Sequence, residues 1–350
     1  MSALSYLRGS FIFSAICLLL GAGLGWYYGG TVGAIVHTMF IVLVLGILET
    51  SLSFDNAVVN ATVLKHMDAV WRRRFLTWGI AIAVFGMRIV FPLIIVCIAA
   101  SVGPWDAIVL AASHPEQYSK IMMDAHMSIA AFGGAFLMLV GLKFFFNVEK
   151  ETHWLGPIER KLSSIGKLDM IEVGLTITAF LVMSQFLPDS DAATFLICGL
   201  WGILTFIGVE ALAGVLEASD EAVNAAHKTG VGGFLYLEVL DASFSFDGVI
   251  GAFALTNNLF IIAIGLAIGA MFVRSMTIML VEKGTLAEYR YLENGAFWAI
   301  IALASCMLAG AFFHVPEVIT GLIGATFIGL SLWSSIRANR KETMAVAAAE

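Results

Sequence analysis

Five carboxylates stand inside stretches that are otherwise apolar: Glu49, Asp55, Glu238, Asp241 and Asp247. A charge at the centre of a spanning helix costs about 2.5–3.5 kcal/mol on insertion scales. Five unpaired charges would therefore cost on the order of 12 kcal/mol. Arg88 and Arg274, each the single charge of its own apolar stretch, can offset two of them. Three negative charges are left for bound cations or for protonation. The oxygen donors at hand are these carboxylates, the hydroxyls of Ser51, Ser53, Ser243 and Ser245, and the amide of Asn56. No Cys or His lies in either motif. An all-oxygen set suits hard ions such as Mg²⁺, Ca²⁺ and Mn²⁺ rather than Zn²⁺ or Cu⁺. The alternatives are structural ion pairing by the two arginines, and a position near span ends for Asp55 and Asp247. His126 and Glu210 are weaker candidates, read as a packed core histidine and as a residue close to the membrane surface.

The residues fall into two matching segments. Residues 47–56 read ILETSLSFDN and residues 239–248 read VLDASFSFDG. Leu48/Leu240, Ser51/Ser243, Ser53/Ser245, Phe54/Phe246 and Asp55/Asp247 are identical, and Glu49 aligns with Asp241. Gly79 precedes Arg88 by nine residues, as Gly265 precedes Arg274. Gly46 stands opposite Glu238, so the second segment has one acid more. Glu49 and Asp55 are six residues apart, about 120° off a common face of an ideal helix. Either the two acids face different partners or the helix breaks at Ser-x-Ser, where a serine bonding back to the i−4 carbonyl bends the backbone. A break is expected.

The elements that position these residues are membrane helices. Of 350 residues, 60% are hydrophobic and 13% charged, and mean hydropathy is +0.92. A soluble domain is about one quarter charged. The balance excludes a soluble enzyme, a disordered chain and a nucleic-acid binder, and the net charge of −7 argues the same way against polyanions. Cys17, Cys97, Cys198 and Cys306 lie in apolar runs without metal spacing and read as packing residues.

Stretches of about 20 apolar residues predict an all-α, polytopic membrane bundle of ten spans: 10–29, 33–54, 77–101, 124–146, 170–187, 192–216, 231–255, 258–281, 295–313 and 316–336. The first is expected as a retained span. With ten spans, 16 of the 19 Lys and Arg fall on one face: Arg8, Lys65, Arg72, Arg73, Arg74, Lys143, Lys150, Arg160, Lys161, Lys167, Lys228, Lys283, Arg290, Arg337, Arg340 and Lys341. The positive-inside rule puts that face and both termini in the cytoplasm of a cell inner-membrane protein. Pairing span 2 with span 7 and span 3 with span 8 gives a 5+5 inverted-topology repeat, a common transporter plan. Its halves are 1–187 and 188–336, followed by a cytoplasmic tail at 337–350.

Glu49-Thr50-Ser51-Leu52-Ser53-Phe54-Asp55-Asn56-Ala57, with Glu238 to Asp247, resembles the motifs of the TerC (tellurium-resistance integral membrane) family. The likeness is to its extended-chain offshoot, within the LysE-type exporter superfamily. It covers the motif spans and the arginine spans that follow, with Gly248 where the family more often has serine. The resemblance implies Mn²⁺ efflux and makes Glu49, Asp55, Asn56, Asp241 and Asp247 metal-site candidates. Glu238 joins them from its place beside Asp241.

The expectation is a divalent-cation exporter, Mn²⁺ before Ca²⁺ or Mg²⁺, with a transported ion and no permanently bound cofactor. Its partners would be the bilayer, the cation and protons; the oligomeric state is open. No phosphate-binding G-x-x-x-x-G-K-[ST] loop is present, so proton exchange at carboxylates is the natural coupling. The alternatives are a LysE-type exporter of a small organic solute, an intramembrane aspartyl enzyme and an accessory membrane protein. The chain lacks HExxH, GxSxG and GxGD, and is not expected to be an enzyme.

Overall fold

The structure is a computed structural model that describes residues 3–65, 67–79, 81–218, 230–313 and 315–347. Every regular element among them is helical. Lipid leaves no other partner for backbone polar groups, so a chain this apolar folds as helices or as a closed barrel. The first half holds α1 (Ala3–Gly29), α2 (Val32–Leu52), α3 (Phe54–Leu64) and α4 (Ala69–Arg74). Two π-helical stretches follow, π1 (Phe75–Gly79) and π2 (Ile82–Val90), then α5 (Phe91–Ala100). Two short helices, α6 (Pro104–Ser113) and α7 (Pro115–Asp124), precede α8 (His126–Phe146), α9 (Gly156–Ile165) and α10 (Ile171–Ser184). The second half holds α11 (Asp189–Ala218), α12 (Val231–Ala252), α13 (Leu259–Glu282), α14 (Thr285–Glu288), α15 (Leu292–Ala309) and α16 (Glu317–Ala347). The segment 337–347, expected as a tail, continues α16.

Among the described residues, eight helical segments are long and apolar enough to cross a membrane: α1, α2, π2 with α5, α8, α11, α13, α15 and α16. This corrects the ten expected. The stretch 170–187 forms only the 14 residues of α10, about 21 Å at the rise of an α-helix. The stretch 231–255 forms α12, whose three acids lower its hydropathy. Yet α12 occupies the middle of the bundle, touching α3, π2, α8, α11, α13 and α16. Outward-facing Leu19, Ile98, Phe186, Trp201 and Leu322 are exposed, as expected of a surface solvated by lipid tails.

One apolar core joins α3, α8, α12 and α15 through Val58, Phe136, Leu139, Leu240 and Ile300. A second joins α2, α7 and α13 through Val42, Leu45, Tyr118 and Ile262. α1 packs on α13, where Ser10 Oγ lies 2.8 Å from Ser275 Oγ and donates to the Met271 carbonyl at 2.8 Å. The four cysteines are free thiols.

α2 and α13 pack closely at two glycines. A Cβ on Gly265 would meet Leu45 Cβ at 2.6 Å, and one on Gly269 would collide with the Glu49 side chain. Gly265 and Gly269 form a G-x-x-x-G pair, which lets membrane helix backbones come close where there is no hydrophobic driving force.

Candidate cation-binding site

The first motif is interrupted where a break was expected. Ser53 closes α2 and opens α3 with φ −99° and ψ 22°. The second motif is not interrupted; α12 runs through Ser243 and Ser245. Ser51 is exposed and bonds back to the Ile47 carbonyl at 2.7 Å, and Ser243 bonds back to Val239 at 2.9 Å. Neither hydroxyl reaches a carboxylate. Ser245 is buried.

The break places two small cavities against the same three residues, Glu49, Ser53 and Asn56. The first, of about 40 Å³, is further lined by Asn60, Arg88 and Asp241. It has room for about three waters. Glu49 is 7% exposed and Asp241 9%. Arg88 Nη2 donates to Glu49 Oε1 at 2.6 Å, and its Nη1 donates to the Ala83 carbonyl. Asn56 Nδ2 donates to Asp241 Oδ1 at 3.1 Å. Asn56 Oδ1, Asn60 Oδ1 and Arg88 Nε are buried without a hydrogen-bond partner. Thr277 also faces this cavity, with its hydroxyl donated to the Val273 carbonyl at 2.9 Å.

The second cavity, of about 50 Å³, is lined by Asp55 and, from α16, Thr320. Asp55 Oδ1 accepts from the Asn56 N–H at 2.9 Å. Glu49 Oε2 lies 2.8 Å from where a Gly248 Cβ would stand, so only glycine leaves that oxygen room. Glu49 thus divides its carboxylate, with one oxygen on Arg88 and the other against α12.

Glu238 lines neither. It borders a third, mostly apolar cavity of about 260 Å³ with Ser243, and both its carboxylate oxygens lack a hydrogen-bond partner. Gly79, which lines the first cavity, lies close to it, since a Cβ there would stand 2.8 Å from Glu238 Oε1. Asp247 belongs to α12, but its side chain lies outside the described residues. Whether Asp55 and Asp247 approach each other across the bundle therefore falls outside them too.

The two arginines behave differently. Arg88 pairs with an acid. Arg274 donates from Nε and Nη2 to the Leu76 carbonyl in π1, at 3.0 and 2.7 Å. Glu210 pairs with Lys143, and His126 starts α8, outside the cavity linings above. Among the described residues no three His, Cys, Asp or Glu side chains gather as a metal-holding group. The first cavity offers two carboxylates and two amide oxygens instead. Asn60, Thr277 and Thr320 were not singled out from the sequence. Asn60 could have been, because it follows Asn56 by one helical turn.

A further acid is buried in α9, outside the spans. Glu159 accepts from Asn294 Nδ2 at 2.6 Å, Lys150 Nζ and Trp298 Nε1 at 3.0 Å, and the N–H groups of Trp154 and Leu155 at 3.1 Å. Burial alone would push its carboxyl up. The Leu155 N–H, the Trp298 indole and Lys150 outweigh that and hold it below the ordinary carboxylate range. This anchor ties the 147–166 segment to α15.

Residues 54–342 match the family model described as "Protein of unknown function (DUF475)". The chain is also 24% identical over 326 residues to "Uncharacterized membrane protein STKORF319" of Myxococcus xanthus, covering 91% of this chain and 80% of that one. No solved structure matches. With its membrane-length helices, the chain belongs to the DUF475 family and is an integral, multi-pass membrane protein.

Proposed function

We propose that the protein transports a divalent cation, Mn²⁺ before Ca²⁺ or Mg²⁺, by alternating access. The observation that carries this is the first cavity. Asn56 Oδ1 and Asn60 Oδ1 are orphaned acceptors beside the carboxylates of Glu49 and Asp241. A buried acceptor left unsatisfied costs about 1–3 kcal/mol. A hard cation would satisfy both amides and offset the carboxylate charge in one step. The TerC-like motif residues favour Mn²⁺ and export.

Cavities on either side of the Ser53 break suit a path that opens alternately. Broken helices at a repeat interface serve this purpose in transporters. In this reading α10 and α12 also cross the membrane, and the segments 1–187 and 188–336 are inverted repeats that rock about the site. Protons exchange with the cation at the carboxylates. On the same reading the basic loops and both termini face the cytoplasm of a cell inner-membrane protein, and the protein carries out no enzymatic step. Efflux of Mn²⁺ from loaded proteoliposomes tests this. Asp241→Asn should abolish efflux, and efflux equal to that of the unmodified protein would remove the proposal.

A second reading has one observation in its favour. The 260 Å³ cavity, apolar except for Glu238 and two hydroxyls, fits part of a small organic cation. Efflux of a basic amino acid that depends on Glu238 and not on Asp241 would select that reading.

A further inference from the structure

We infer that Arg88 is a tethered counter-cation: it holds Glu49 when no cargo is present and competes with the cargo when it arrives. This rests on the transport reading and deepens it.

Arg88 is 3% exposed and closes π2, facing the last turn of α2. The charged groups around Glu49 come from several elements. Asp55 is on α3, Asp241 and Glu238 are on α12, and Arg274 is on α13. Arg274 spends its guanidinium on a backbone carbonyl. Among the described residues, Arg88 is the single cation within ion-pair distance of a carboxylate in this cavity. A guanidinium stays charged at any working pH, so its hold on Glu49 needs no proton.

An empty acidic cavity in hydrocarbon is unfavourable, and the carrier must pass through that state on every cycle. Arg88 supplies the missing positive charge. The attachment is partial, since Nη2 is on Glu49, Nη1 is on Ala83 and Nε has no partner. Such a group can swing off without breaking a complete network. A cation entering beside Asp241 meets repulsion from Arg88, which weakens binding and speeds release. Arg88 therefore sets affinity against turnover, a role distinct from providing a ligand.

The test is Mn²⁺ binding by calorimetry and Mn²⁺ efflux from proteoliposomes, on the full chain. Arg88→Gln should bind Mn²⁺ at least about tenfold tighter and turn over at least about tenfold more slowly. Arg88→Lys, which keeps a positive charge, should restore most of the turnover. A purely structural role predicts weaker binding in Arg88→Gln and no opposed movement of affinity and rate. Unchanged or weaker binding in that variant overturns the inference.

If Arg88→Gln does not fold, the charge-balanced pair decides. Glu49→Gln alone leaves Arg88 unopposed and should abolish Mn²⁺ binding, while Glu49→Gln with Arg88→Gln should recover it. A double variant that binds no better than Glu49→Gln overturns the inference. Absence of Mn²⁺ binding to the unmodified protein would instead bring down the transport reading, and this inference with it.

Discussion

The two acidic motifs share Leu, Ser, Ser, Phe and Asp at matching positions, yet α2–α3 breaks at Ser53 while α12 runs unbroken from Val231 to Ala252. The serines do not account for this, because Ser51 and Ser243 both bond back to the i−4 carbonyl. The neighbours differ. α2 is held tightly on two sides: α13 offers Gly265 and Gly269, and α16 offers Gly321, where a Cβ would collide with Leu52. Beyond the break, Asn56 turns its amide to Asp241. The broken copy is clasped between glycines of α13 and α16, and the continuous copy crosses the middle of the bundle.

The largest test removes the clasp. Gly269→Leu drives a side chain into Glu49 and should cost about 3 kcal/mol through overpacking, seen as a lowered melting temperature in detergent. The same change at Gly174, which has open space around it, should stay within about 0.5 kcal/mol. Equal effects at the two sites would remove the seam from the explanation.

Glu159→Gln asks whether the difference between the motifs is local. It weakens an anchor remote from both and should cost about 2 kcal/mol while leaving Mn²⁺ affinity unchanged. Because the Glu159 carboxyl is held below its ordinary range, the anchor stabilises the fold above the unfolded-state value near 4.3. That contribution is lost as pH falls through the lower folded-state value. Melting curves from pH 7 to 3 should show a sharper acid loss in the unmodified protein than in Glu159→Gln.

Asp241→Asn against Asp55→Asn compares one cavity with the other. The first should weaken Mn²⁺ binding by about 10–100-fold, the range seen when support of a metal site is lost, and the second by less, by calorimetry. The reverse order would move the principal site across the break. The smallest effect is in backbone opening. Amides of Phe54 and Asp55 sit in the first turn of α3 and should exchange about tenfold faster than those of Phe246 and Asp247. Ser53→Ala should change that ratio little; a ratio falling to unity would return the cause to the serine.

Much of this was legible in the sequence. Apolar runs locate the membrane helices, and the lone Arg88 signals a buried acid partner; the Ser-x-Ser spacing marks a break in one motif and a continuous helix in the other. Three parts were not legible, for physical reasons. Arg274 binds a carbonyl of π1, and backbone acceptors carry no side-chain signature. The interval between the predicted spans 77–101 and 124–146 folds into α6 and α7, and α7 buries Tyr118 and Met122 in the second core. The span count differs where length and hydropathy are least informative: 170–187 forms only the 14 residues of α10, and 231–255, read as a span, forms a central helix whose acids lower its hydropathy, the buried Glu238 and Asp241 among them.

That placement of α12 bears on how the chain is made. Three acids on the insertion scale add up to about 8–10 kcal/mol against entering lipid alone, so this segment is a poor candidate for independent release from the translocon. Its contacts are mostly with helices synthesised earlier: α3, α8 and α11. Biogenesis would then be ordered, with the first half of the chain preparing a berth into which the polar helix is admitted.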